Sequence, residues 1–174
     1  MSDTFITIIA IFLAAILMFI FPLMTMADRN DDIIELAVQT STTEFVGEIR
    51  RTGKLTEDQY NNFIVSLAST GNAYDVELEF QILDENPGKK ETHGNGVIIG
   101  ENVYYSVYTT QIEKKLGDGD RAYYLKEGDI VSVTVKNRST TLAQTLRNVY
   151  YRVMGNDTYV ISASSAGTVT VNGK

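Results

Sequence analysis

His93 is the only histidine in the chain and cysteine is absent, so a Ser-His-Asp mechanism would have to run through one imidazole. That imidazole lies within residues 84–96, DENPGKKETHGNG, a polar stretch with one proline and three glycines that reads as an exposed loop. A loop of this kind offers no strand or helix to fix a general base. Asp118 and Asp120 place two carboxylates in one turn, without the ligand spacing and distant Glu that an EF-hand uses to surround calcium. Gly94-Asn95-Gly96 and Gly117-Asp118-Gly119 do not continue into Gly-Lys-Ser/Thr or open a helix after a strand, so no phosphate cradle is expected. Without cysteine, disulfide frameworks, thiol nucleophiles and thiolate metal sites fall away together. Asn137-Arg138-Ser139 and Asn156-Asp157-Thr158 fit the N-glycosylation pattern, which has meaning only in a eukaryotic secretory route. The expectation is a protein that is not an enzyme, with no cofactor, no metal and no identifiable small-molecule substrate.

Charge and aromatic distribution say more. With 22 acidic against 15 basic residues the net charge is −7, which excludes the basic excess that nucleic-acid binding requires. The acids are concentrated in residues 28–100, net −8, whereas residues 101–174 carry +2. In an assembly, that asymmetry would set one subunit's first half against a neighbour's second half; on a monomer the same residues are solvated faces. Eight of the ten tyrosines fall between Tyr104 and Tyr159, in pairs at 104/105, 123/124 and 150/151. Neighbouring strand residues point to opposite faces, so one of each pair is expected inside and the other outside. Tyr104, Tyr105, Tyr108, Tyr150 and Tyr151 are the candidate surface contacts, since exposed Tyr offers a large contact area at small entropic cost. Strand propensity alone would account for the same composition.

The elements that must position these residues begin with residues 5–26, FITIIAIFLAAILMFIFPLMTM, which are uncharged throughout. As a helix they would be about 33 Å long, slightly more than the hydrocarbon core of a bilayer. A cleaved signal peptide, ending near Thr25-Met26-Ala27, is the competing reading. Two features favour a retained anchor: Met1–Thr4 has no Lys or Arg, and the apolar run exceeds the usual signal core. Phe5, Phe12 and Phe19 recur every seven residues, and Ala10 and Ala14 form a small-xxx-small pair. Both strips are candidate helix-packing surfaces in lipid. Pro22 removes a backbone donor and is expected to bend the last turn. The flanking charges barely favour either orientation; the long remainder, lacking any cytosolic nucleotide site, is placed outside the cell membrane.

Beyond the anchor (residues 1–27), residues 28–72 read as a helical stalk or hairpin. Ile34, Val38, Phe45 and Ile49 share a helical face that Gly53 terminates, and the stalk helix is allowed to continue from the anchor. Thr40–Thr43 is a weak helical patch that only packing would hold. Thr56 and Gln59 form a capping box before a second helix, in which Tyr60, Phe63, Ile64, Leu67 and Ala68 make an apolar stripe ended by Gly71. Residues 73–174 then read as a small antiparallel β domain. Tyr74, Val76, Leu78, Phe80 and Ile82 alternate with polar residues, and further strands are expected at 97–99, 103–109, 130–136, 159–163 and 168–171. Turns fall at 117–120 and 127–129, and a short helix with Leu142 and Leu146 on one side is expected over 140–148. The fold class is α+β, an antiparallel sheet covered on one face by helix.

The carrying stretch for a family resemblance is residues 53–76, GKLTEDQYNNFIVSLASTGNAYDV, together with the apolar-then-amphipathic helix before it. This layout, over roughly residues 1–85, resembles the pilin-like and TadE-like membrane-anchored proteins of Gram-positive bacteria and their mobile elements. The basic leader ending in Gly and the early helical Glu of type IV pilins, and the Arg-Arg-Gly start of many TadE-like chains, are absent here. The resemblance therefore implies an uncleaved accessory or minor subunit of a pilus, secretion or conjugation apparatus. It would be single-pass and extracytoplasmic, with the lipid bilayer and other proteins, itself or apparatus components, as partners. The alternative is a monomeric tethered module that binds cell-wall glycan or a small ligand through exposed Tyr.

Overall fold

The structure is a computed structural model and describes residues 2–84, 104–119, 121–141, 144, 145, 148 and 161–174. A single helix, α1 (Ser2–Thr52), runs without a break through the apolar segment, across Pro22 and on into the amphipathic segment. Val38, Thr42, Phe45, Val46 and Ile49 are buried along one face, as their spacing requires. Thr42, in the weak patch, is held by this packing. Its hydroxyl, buried, donates to the Val38 carbonyl at 2.7 Å. Gly53, at φ +68°, stops the helix, and its N–H donates to the Ile49 carbonyl at 2.8 Å.

The chain then forms β1 (Lys54–Thr56) and turns into α2 (Glu57–Ala68). The capping box is formed: Gln59 N–H donates to Thr56 Oγ1 at 3.2 Å, and Thr56 N–H donates to Gln59 Oε1 at 2.9 Å. α2 folds back along α1. Gln59 donates to Glu48, the Phe63 ring stacks on Phe45 at 4.2 Å, and Ser66 meets Ser41. Numbers fall on one helix as they rise on the other, which makes the pair an antiparallel hairpin. In the α2 stripe Phe63 and Leu67 are buried, while Ile64 stays exposed.

β2 (Tyr74–Leu83), β3 (Tyr104–Tyr108), β5 (Ile130–Asn137) and β6 (Ser162–Thr168) form an antiparallel sheet of order β3-β2-β5-β6, while β4 (Ala122–Tyr124) pairs with β1 alone. The period-2 pattern of β2 holds. Leu78 and Phe80 face the helices and pair with Val133 and Val131 of β5, and the core joins them to Val38, Phe45, Ile49, Phe63 and Leu67. One sheet face is thus covered by helix, and the other carries Glu77, Glu79, Ser132, Thr134 and Ser164.

Three expectations need correction. Residues 109–117 form a helix, α3, that the sequence reading did not contain; Ile112 and Leu116 are its two buried residues, too few to register as a period. The strand expected at 103–109 therefore ends at Tyr108, and Thr109 opens α3 with its hydroxyl accepting from the Leu78 N–H at 2.8 Å. Of the strands expected at 159–163 and 168–171, residues 162, 163 and 168 belong to one strand, β6, which runs on through Ser164-Ser165-Ala166-Gly167, while Val169–Val171 are not strand and Tyr159 and Val160 lie outside the described residues. Pairing with β5 on one side overrides the low β propensity of this run. On the other, Arg50 lies over Gly167 and its Nε donates to the Thr168 carbonyl at 2.8 Å. β1 and β4, three residues each, were also unread. Thr141 N–H and Gln144 form a further capping box and Gln144, Thr145 and Asn148 are helical, as expected for 140–148; Leu142 and Leu146 lie outside the described residues, as do residues 85–103 with the loop and the strand expected there.

Candidate interaction surfaces

Residues of the first half of α1 are almost bare of contact with the other described residues. From Asp3 to Met26 every residue is exposed except Met24, which is partly buried. One helix is therefore long and apolar enough to cross a membrane. Phe5, Phe12 and Phe19 are 66, 69 and 78% exposed, and Ala10 and Ala14 are exposed as well. At 100° per residue the phenylalanine strip and the alanine pair lie on opposite sides of the helix, so they would meet two different neighbours.

Packing begins at Asp31, which is buried. Its carboxylate accepts from Thr141 Oγ1 at 2.7 Å, at the start of the helical segment that Thr141 and Gln144 cap. Sequence reading missed this tie. The Thr141-Leu-Ala-Gln144 spacing was the available signal for the cap, but nothing local connects it to a residue 110 positions earlier.

The tyrosine candidates do not form one surface. Register with β2 puts Tyr104 and Tyr108 on the outer sheet face opposite Leu83 and Glu79, and Tyr105 on the inner face opposite Ile82. Tyr104 is half-buried and its hydroxyl donates to the Gly128 carbonyl at 3.4 Å; Tyr105 and Tyr108 are exposed. Tyr150 and Tyr151 lie outside the described residues. For the 123/124 pair the alternation holds, with Tyr123 buried and Tyr124 exposed.

Tyr105, Tyr123 and Tyr124 line an open cleft of about 310 Å³ with Lys115, Lys126 and Asp129. Its polar groups serve the fold. Both Asp129 oxygens accept backbone N–H groups, from Leu83 at 3.0 Å and Lys126 at 2.7 Å, and the Lys115 ammonium sits 4.2 Å over the Tyr123 ring. Burial first, then the nearby Tyr105 and Asp129, raise the Tyr123 phenol above its ordinary value. Tyr60 is raised for a similar reason: burial leads, followed by its 2.7 Å donation to Glu113 Oε1 and that residue's charge. A phenol made harder to ionise is a poor nucleophile and a poor base at neutral pH. A second groove, of about 400 Å³ on the outer face, is lined by Tyr108, Glu77, Glu79, Thr109 and Ser132, with Glu77 paired to Lys136 at 3.1 Å.

Among the described residues no three His, Cys, Asp or Glu side chains come together as metal ligands. His93, Asp120 and Asn156 are not among them. Asn137 of the first glycosylation pattern is buried in β5, where its Oδ1 accepts from Ser139 N–H at 3.0 Å, leaving no room for a glycan.

Set against protein-family models, curated proteins and solved structures, the chain finds no significant match in any of the three.

Proposed function

We propose that this protein is a non-enzymatic, membrane-anchored structural or interaction component. In this reading the first half of α1 spans the bilayer, and the remainder forms a pilin-like body on the extracytoplasmic side. One observation carries the reading. A single helix is bare and apolar over residues 5–26, yet from Asp31 onward one face is buried, first against Thr141 and then against the sheet and α2. Monomeric soluble proteins rarely expose contiguous apolar patches of more than a few hundred Å², and a bare apolar helix about 33 Å long exceeds that by a wide margin. Lipid removes the penalty, because all the backbone groups of a helix are already satisfied internally.

The pilin-like part of the reading is supported by the arrangement of a long N-terminal helix, projecting at one end and laid against an antiparallel sheet at the other. A pilus, secretion or conjugation apparatus is the setting such a subunit suits. Alkaline extraction of membranes from cells expressing the full chain tests the anchor. The protein should stay in the pellet, and protease added to intact cells should digest the body. Recovery in the soluble fraction, or a product beginning at Asp28, would defeat the proposal.

A further inference from the structure

Ile33 and Leu36 are 67 and 68% exposed, although they belong to the part of α1 whose opposite face is packed on the sheet. On the helix wheel Ile33, Leu36, Thr40 and Gly47 lie about half a turn from Val38, Phe45 and Ile49. They also extend a series begun earlier. Phe5, Phe12, Phe19, Met26, Ile33, Thr40 and Gly47 succeed one another at intervals of seven, and the first five are all at least 66% exposed. An interval of seven drifts about 20° per repeat on a straight helix, and a left-handed supercoil with a partner helix cancels that drift.

Lipid does not explain the outer end of the strip. Counting from Met26, Leu36 lies about 15 Å and Gly47 about 31 Å further along the helix, past any headgroup layer. Among the described residues nothing requires a glycine at Gly47. Its backbone is helical, and no atom of the described residues stands within 4 Å of where a Cβ would be. An interior helical glycine costs about 1 kcal/mol relative to alanine, so a glycine in open space on this strip points to a close approach from outside.

We propose that this strip, from Phe5 to Gly47, is a parallel self-association face whose occupant is the same helix of a second copy. This deepens the membrane-anchored reading and rests on it. A bilayer holds every copy with the same end inside and at the same depth, so each residue of the strip meets its own counterpart in register. The residues at intervals of seven from Phe5 are uncharged; Arg29, one repeat before Leu36, meets its own counterpart at the level of the headgroups, with Asp32 of the opposite charge one turn further on. A strip about 63 Å long and about 10 Å wide covers roughly 600 Å² per copy, which reaches the lower edge of specific interfaces. The portion beyond the membrane, about 21 Å, falls well short alone. The pairing therefore requires the lipid-embedded half.

Because the chain is free of cysteine, single introduced cysteines report position directly. The full chain is reconstituted in phosphatidylcholine vesicles and oxidised. Ile33→Cys and Leu36→Cys should give disulfide-linked dimers, and Val65→Cys, equally exposed but on α2, should not. Adding Gly47→Leu to Leu36→Cys should cut the dimer at least ten-fold without lowering the unfolding temperature, since the monomer has space for the side chain. Absence of dimer at 33 and 36 in a chain that floats with the vesicles overturns the pairing and leaves the anchor standing. Dimer at Val65→Cys to the same extent marks random collision and also overturns it. A chain that does not float with the vesicles defeats the membrane reading instead.

Discussion

Gly53 and Gly71 both hold positive φ, +68° and +83°, but their surroundings differ. A Cβ at Gly71 would meet no atom of the described residues, whereas one at Gly53 would strike the Val171 carbonyl and the backbone of Gly173. Gly53 O also accepts from Leu125 N–H at 2.8 Å, and Leu125 O accepts from Gly173 N–H at 2.9 Å, so the C-terminal tail is laid across the end of α1. Gly71→Ala should cost about 1–2 kcal/mol, the conformational penalty alone. Gly53→Ala should cost clearly more in the same urea titration, and equal losses would show that the tail is not packed there. Tyr60 supplies a pH prediction. Its folded pKa is raised above the ordinary value of about 10, so its contribution is full below that pH and is lost as pH rises beyond it. Tyr60→Phe should flatten the alkaline fall of the unfolding temperature, and an unchanged slope would contradict the assignment. Gly53 was legible as a helix stop from its place after an apolar period. Its contact with residues 171–173 was not, because no local pattern encodes which distant backbone crosses a turn.

Among elements, the α1–α2 hairpin was written openly in the sequence. The Thr56/Gln59 box and the 60-63-67 spacing are local, and local hydrogen bonds and helical geometry are enough to define them. Phe63 is 5% exposed and stacked on Phe45, so Phe63→Ala should destabilise the body by about 3–5 kcal/mol. Val65→Ala, on the outer side of the same helix, should change stability by no more than about 0.5 kcal/mol. A large effect at both positions would mean that α2 is covered on two sides. The missed elements share one cause. α3 has two buried residues, β1 and β4 have three residues each, and β6 is rich in Ser, Ala and Gly; each exists because a partner strand or helix supplies what its own sequence lacks. Arg50 over Gly167 is such a partner contact, and it explains why a strand tolerates glycine at that point.

At the scale of the whole molecule, α1 is one helix in two environments. Its apolar first half, the stop at Gly53, the period-2 strand from Tyr74 and the α+β class were all readable, because the hydrophobic period is a local property of the chain and the physics of burial acts on it directly. What only the tertiary structure decided was the order β3-β2-β5-β6, the seat of Thr141 on Asp31, the splitting of the tyrosines between two sheet faces, and above all which side of α1 the sheet occupies. That choice leaves Ile33, Leu36 and Gly47 bare. Periodicity can mark a face as apolar, but a helix carrying two apolar faces does not say which is turned inward, and only the competition among long-range contacts for the same core settles it.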